Sequence, residues 1–176
     1  MMLDVSHRVY IYGKGSSAQV TNEMKLRFMR LGLVCEAITD DHMMRTNRVL
    51  IDETCVVIAI SISGETKVVI DSLKDAKCFG AKTILITANQ NSELKEISDE
   101  LILVAVKDSL EYGTTISPQF PILVVVDIFY TYYMNLNRDF RKELFNNSLE
   151  ALNIRETFYI KSQEKILKNK KTPSLR

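Results

Sequence analysis

Apolar residues along the chain fall into short unbroken runs that alternate with stretches of helical spacing. Val56 to Ile60 is the clearest run, apolar throughout and flanked by polar residues, as a strand buried on both faces requires. It breaks into Ser61, Ser63, Gly64 and Thr66, after which Val69, Leu73 and Ala76 recur at helical spacing. The pattern predicts strand, hydroxyl-rich turn, helix. Arg8 to Tyr12 (RVYIY) predicts an earlier strand that runs into Gly13-Lys14-Gly15-Ser16-Ser17. Val20, Met24, Phe28 and Leu31 then mark one face of a helix that Gly32 stops. Leu33 to Ile38 reads as a second strand, followed by Asp40-Asp41-His42 and a shorter helix to about Leu50. Gly80 ends the central helix, and Lys82 to Thr87 (KTILIT) is a fourth strand. Ser92 is placed to cap a short helix ending near Ile97, and Asp99 to Val106 (DELILVAV) is a fifth strand.

Strands that alternate with crossover-length connections predict a parallel sheet with helices on both faces. The expected class is therefore α/β, a three-layer α/β/α sandwich. Right-handed crossovers make the flavodoxin-like order 2-1-3-4-5 the simplest topology. Past residue 106 the alternation stops. Pro118 and Pro121 suit a helix start, and the helix from there to about Leu136 is apolar on nearly every side. Such a helix is expected to be buried, either in the core or against another subunit; Val124, Ile128 and Tyr132 form one stripe of it, with Leu123, Asp127 and Tyr130 elsewhere, and homodimer burial is the hypothesis. Asp127, inside that helix, needs a hydrogen bond or a subunit partner. Residues 140–160 continue helix-like. The segment Lys161 to Arg176 carries six basic residues against Glu164 alone and reads as a solvated, flexible tail. The expected organisation is one domain over residues 1–160 plus that tail at 161–176.

Composition narrows the class without naming a function. The 176 residues are 46% hydrophobic and 26% charged, as in an ordinary globular domain. A net charge of +1 provides no basic field and argues against direct nucleic-acid binding. Cys35, Cys55 and Cys78 are odd in number and lack CxxC spacing, so reduced thiols are expected, with Cys35 and Cys55 in the core. The N-terminus MMLDVSHR has no signal-peptide segment. The most apolar stretch, Phe120 to Met134, is interrupted by Asp127 and three tyrosines and falls short of the roughly 20 residues of a membrane span. A cytoplasmic protein without membrane contact is expected.

The candidate chemistry lies where the first and third strands end. In a 2-1-3-4-5 sheet these strands are neighbours at the point where strand order reverses, and open α/β sheets bind ligands in that crevice. Backbone N–H groups, the positive end of a helix and neutral hydroxyls make the turn at Ser61, Ser63, Gly64 and Thr66 a phosphate cradle. Each residue also has a plain structural role open to it. One hydroxyl could cap the helix, Glu65 suits the first helical turn, and Ser16 and Ser17 could be one cap and one spare. Lys14 either offsets phosphate charge or points to solvent. His42 reads as a helix-start residue, and His7 belongs to the N-terminal arm. A rival pattern exists: Gly13, Gly15 and Ala18 satisfy GxGxxA after a strand, with Glu36 about 20 residues on, as dinucleotide sites require. That fold does not call for a second hydroxyl loop at the neighbouring strand end. No metal-ligand spacing and no GxSxG nucleophile elbow occur.

GxGxS at 13–17 and SxSGxT at 61–66 resemble the sugar-isomerase (SIS) phosphosugar-binding domain. YIYGKGSSAQV, KLRFMRLG, DDH, AKCFGAK, ITANQNSEL and VDIFY resemble more closely the C-terminal domain of RpiR-type transcription regulators, over roughly residues 8 to 150. The resemblance implies a five-stranded parallel sheet, a homodimer or dimer of dimers, and recognition of a phosphorylated sugar or amino sugar. It implies no cofactor. It assigns phosphate contacts to Ser61, Ser63, Gly64 and Thr66, and sugar or phosphate contacts to Gly15, Ser16 and Ser17. Glu111, in LEYGTT, matches the family glutamate facing the sugar hydroxyls, with Thr114, Thr115 and Ser117 where the family commonly has serines. Regulators of this type carry a helix-turn-helix ahead of the domain, whereas here the first strand begins at Arg8, so DNA contact is expected only through a part this chain lacks. Two functions remain open. One is a ligand sensor for such a regulator. The other is an aldose–ketose phosphosugar isomerase with Glu111 as base and His42 the one obvious ring-opening group.

Overall fold

The computed structural model describes residues 2–105, 117 and 119–152. Five parallel strands form one sheet in the order β2-β1-β3-β4-β5: β1 Arg8–Gly13, β2 Cys35–Ile38, β3 Cys55–Ile60, β4 Lys82–Thr87 and β5 Glu100–Leu103. The predicted order holds. β1 and β3 pair along their full lengths, from Arg8 opposite Cys55 to Gly13 opposite Ile60, so both end at one level.

The helices are α1 (Met2–Val5), α2 (Ser16–Met29), α3 (Asp41–Thr46), α4 (Lys67–Cys78), α5 (Phe120–Leu136) and α6 (138–152). Successive strand side chains point to opposite faces, and each face has its own core. Val9, Ile11, Ile58 and Ile86 meet Val20, Met24 and Phe28 of α2 and Ile122 and Val126 of α5. Tyr10, Tyr12, Val57 and Leu85 meet Met44 of α3 and Val69, Leu73 and Ala76 of α4. Burying each large aliphatic or aromatic side chain contributes about 1.5–3 kcal/mol, so these two layers hold the sheet rigid beneath its loops. Cys35 and Cys55 are buried free thiols, as expected, and Cys78 is exposed.

Several boundaries differ from the pattern. β2 starts at Cys35 rather than Leu33, and β5 spans four residues rather than eight. Of the predicted helix to Leu50, only Asp41–Thr46 is α-helical, and Asn47–Leu50 winds as a 3-10 turn. Ser92 does not cap the next turn. Asn91 does, accepting from the amide of Glu93, and Ser92 is the first turn residue. The short helix α1 has no periodicity to announce it, yet Leu3 is buried in the α2 core.

α5 starts with Pro121 in its first turn and packs Ile122, Val126 and Tyr133 inward. Asp127 finds its partner within the chain, in Arg27 of α2, whose guanidinium lies 4.5 Å from the Tyr130 ring centroid. Arg141 of α6 is buried and ties three elements together. It bonds Asp4 at 2.6 Å and the Leu31 carbonyl at 2.8 Å, and it lies over the Tyr133 ring at 3.7 Å.

Candidate functional site

β1 and β3 each end in a loop that starts a helix. Gly13 has no room for a side chain: a Cβ there would lie 2.1 Å from Thr21 Oγ1, so α2 packs directly on the strand end. Gly15 follows at the N-cap of α2 with φ 60° and ψ −127°, and no side chain caps the helix. Ser16 is exposed at the first helical position and Ser17 is buried one residue on. Lys14 is not free: its Nζ lies 2.6 Å from Asp41 at the start of α3, with both side chains about half exposed.

The second loop is more tightly built. Ser61, 2% exposed, donates to Thr66 Oγ1 at 3.2 Å. That bond leaves the Thr66 hydroxyl proton available to a ligand. Ser63 Oγ accepts from the Glu65 amide at 3.2 Å, so its proton is likewise available. Gly64 has φ 68°, and its amide donates to the Ser61 carbonyl at 3.0 Å. Thr66 occupies the N-cap position of α4 but makes no capping bond, which leaves the first-turn amides uncapped by any side chain. Side chains cap two other turns: Asp40 accepts from the amides of His42 and Met43, and Asn91 accepts from Glu93. The N-termini of α2 and α4 at the β1/β3 switch point have no such cap, and neither do α5 and the 3-10 turn at Asn47–Leu50.

The loop after β4 braces this turn from outside. Ile62 O accepts from the Ala88 amide at 3.0 Å and from Thr87 Oγ1 at 3.2 Å, and Ser63 O accepts from Asn89 Nδ2 at 2.7 Å. Asn89 was not among the residues expected from sequence, because its partner is 26 positions away and no local signal marks it. Gln119 was also missed. Its Nε2 donates to the Ser16 carbonyl at 3.1 Å and to Gln19 at 3.0 Å, so the start of α5 sits against the first loop.

The structure thus brings Gly15, Ser16 and Ser17 to one strand end and Ser61, Ser63, Gly64 and Thr66 to its neighbour. Glu111, Thr114 and Thr115 lie outside the described residues, as does the basic tail at 161–176. Ser117 is exposed, and its Oγ accepts weakly from the Gln119 amide. His42 is exposed, and its amide rather than its ring makes the bond to Asp40. Glu36, the acidic residue of the dinucleotide pattern, is paired with Lys25 at 2.7 Å. Among the described residues no cluster of His, Cys, Asp or Glu is arranged to hold a metal, and no helix is long and apolar enough to cross a membrane.

A doubly wound sheet with two small-residue loops over adjacent strand ends is an α/β domain of the class whose ligands bind at that crevice. The chain belongs to the SIS domain family, which matches residues 2–126. It is 33% identical over 144 residues to an uncharacterised HTH-type transcriptional regulator of Clostridium perfringens, covering 81% of this chain and 49% of that protein. To the HTH-type transcriptional regulator RpiR of Escherichia coli it is 30% identical over 127 residues, covering 72% of this chain and 43% of RpiR. The chain therefore spans about half the length of the curated relatives it matches. Among solved structures, the Vibrio vulnificus NanR protein complexed with ManNAc-6P superposes with a TM-score of 0.74 at 20% identity, covering 86% of this chain and 57% of that one. The sugar isomerase domain of an RpiR transcription factor from Sphaerobacter thermophilus gives 0.75 at 17% identity, covering 85% and 82%. These likenesses bear out the fold class and strand order expected from the sequence.

Proposed function

We propose that this chain is the phosphosugar-sensing effector domain of an RpiR-type transcription regulator. It binds the phosphate of a sugar or amino-sugar phosphate at the turn 61–66 and the sugar against the first loop. The observation that carries this reading is the start of α4, where three hydroxyls surround Gly64 and none caps the helix. Capping alone would engage one hydroxyl with an N2 or N3 amide. An anion seated there would receive hydroxyl and backbone donors and the favourable end of the helix dipole. The HTH-type relatives support the regulatory setting, and the ManNAc-6P bound by NanR supports the ligand class. Glu111 is proposed to face the sugar hydroxyls and select among sugars. The domain would be cytoplasmic and would reach DNA only through a separate helix-turn-helix part.

A homodimer completes the reading. Phe120, Val124, Ile128, Tyr132 and Leu136 recur every fourth residue along α5 and are exposed. Asp127, the one charge on that helix, is paired within its own chain, so the face carries no charge to repel a copy of itself. Ligand-dependent regulation then requires the two dimer arrangements to bind the phosphosugar differently.

The test is calorimetric titration with sugar 6-phosphates, amino-sugar 6-phosphates and their unphosphorylated parents, with solvent-proton exchange at C2 followed for each ligand that binds. Binding of a phosphorylated ligand without exchange is expected. The Ser61→Ala/Ser63→Ala variant should lose that binding by about 100-fold or more while keeping its circular dichroism spectrum. Unchanged affinity in the double variant overturns the cradle, and exchange at turnover rates makes the protein an isomerase.

A further inference from the structure

We propose that Asn89 is a positioning residue of the phosphate cradle, acting through the carbonyl of Ser63; this rests on the phosphosugar reading above. An anion site built from backbone must turn its N–H groups inward and its carbonyls away, because a carbonyl lone pair facing the phosphate would repel it. In the turn 61–66 the two carbonyls at risk belong to Ile62 and Ser63, the peptide units just before Gly64. Both are drawn toward β4 and its loop. Ile62 O takes the Ala88 amide and the Thr87 hydroxyl, and Ser63 O takes Asn89 Nδ2 at 2.7 Å, the shortest of these bonds. The peptide whose carbonyl Asn89 holds also carries the Gly64 N–H, which donates to the Ser61 carbonyl at 3.0 Å, so the carboxamide and that bond together set the rotation of the unit from which the Ser63 and Thr66 hydroxyls are presented.

Asn89 is itself fixed on three sides. Its amide donates to Thr87 Oγ1 at 3.1 Å, its Oδ1 accepts from the Asn91 amide at 2.8 Å, and its side chain lies against Gly64. A Cβ on Gly64 would come within 2.9 Å of Asn89 Cβ. The carboxamide's orientation is dictated by these partners: Oδ1 must accept and Nδ2 must donate. An aspartate of the same shape would place a carboxylate oxygen against the Ser63 carbonyl and repel it.

The experiment titrates inorganic phosphate into the full chain and follows the Gly64 backbone amide and the Asn89 side-chain amide by NMR. In the unaltered protein both signals should move with one dissociation constant. Asn89→Ala should bind phosphate about tenfold more weakly. Asn89→Asp should be at least as weak at about pH 7.5, and its deficit relative to the unaltered protein should shrink below about threefold at about pH 3, below the ordinary aspartate range, where the protonated carboxyl can donate again. The charged side chains on the two loops, Glu65, Lys67 and Glu93, and the titration of phosphate itself are common to both proteins and cancel in that ratio. A residue that only filled space would give no such recovery. Variants within twofold of the parent at both pH values, a deficit that does not change with pH, or an unmoved Asn89 signal overturns the positioning role. If the unaltered chain binds no phosphate, the cradle itself is wrong and the role of Asn89 falls with it.

Discussion

At the scale of single residues, the proposed cradle depends on peptide units that must face one way. Gly64 shows the constraint most directly. Its φ of 68° is a left-handed conformation, and the space where a Cβ would sit is closed at 2.8 Å by Leu94 Cδ1 and at 2.9 Å by Asn89 Cβ. Gly64→Ala therefore meets a backbone penalty and a steric one together. We expect a loss of about 2 kcal/mol of stability, or roughly 4–8 °C in Tm, read by a thermal melt. Phosphate affinity should fall as well, because the backbone cannot keep the same rotation. A melt within about 1 °C of the parent would show that the turn relaxes freely and that its geometry is not under constraint. The hydroxyls obey a similar logic. Ser61 is buried and donates to Thr66, so the Ser61 hydroxyl turns the Thr66 proton away from itself.

Among the elements, what the sequence could announce was whatever local pattern encodes. β1, β3 and β4 are apolar runs buried on both faces, and both helices that follow loops at the switch point carry core residues at helical spacing. Those features made the fold and the two loops legible. The four residues of α1 make too short a segment for periodicity, and Leu3 is buried through tertiary packing, in the core that also holds Val20, Met24 and Phe28. Asn89 and Gln119 act on carbonyls 26 and 103 positions away, which no spacing rule connects. The Tyr12 contact with Asn47 is of the same kind. Asn47 Nδ2 donates to Tyr12 Oη at 2.8 Å, joining β1 to the 3-10 turn behind α3, and both side chains are buried. Burial pushes the Tyr12 phenol up to about 12, and burial also pushes the Cys35 thiol of β2 up to about 11. Both groups are neutral when protonated, and the unfolded chain loses these protons first. Their contribution to stability is therefore complete below about pH 9 and is lost as pH rises, first through the Cys35 window and then through the Tyr12 window. The urea midpoint should fall between about pH 9 and pH 12. Tyr12→Phe should lower the unfolding free energy by about 1–2 kcal/mol at neutral pH, since the Asn47 amide loses its acceptor, yet flatten the decline above about pH 10. Parallel alkaline slopes for the two proteins would assign the loss to other groups.

For the whole molecule, the question is what lies over α5. One side of this helix holds Ile122, Val126 and Tyr133 in the core, and the other presents Val124 at 42%, Ile128 at 60% and Tyr132 at 55% exposure, with Phe120 and Leu136 continuing the line. Seventeen residues give a stripe about 25 Å long. Isolated exposed apolar residues need no explanation, but a continuous stripe on a helix with no free charge is a surface suited to burial. A two-fold axis near Ile128 would set the stripe against itself antiparallel, which is the isologous geometry of most homodimers. Gln119, at the start of the same helix, holds the Ser16 carbonyl, so a rearrangement across the two-fold would be felt at the loop after β1. Ile128→Glu places a carboxylate on the axis, where two copies meet and desolvation adds to repulsion. Light scattering after size exclusion should give a dimer for the parent and a monomer for Ile128→Glu, with little change in the intrinsic fold because the side chain faces outward. Phosphosugar affinity in the monomeric variant then separates two cases. If it is retained, each site is complete within one chain and the dimer serves to transmit the signal. If it is lost while circular dichroism is unchanged, the partner subunit shapes the site. A parent that is monomeric at about 100 μM, well above the dissociation constant expected for a standard-sized interface, would leave the stripe for a different occupant and remove the dimer from the proposed mechanism.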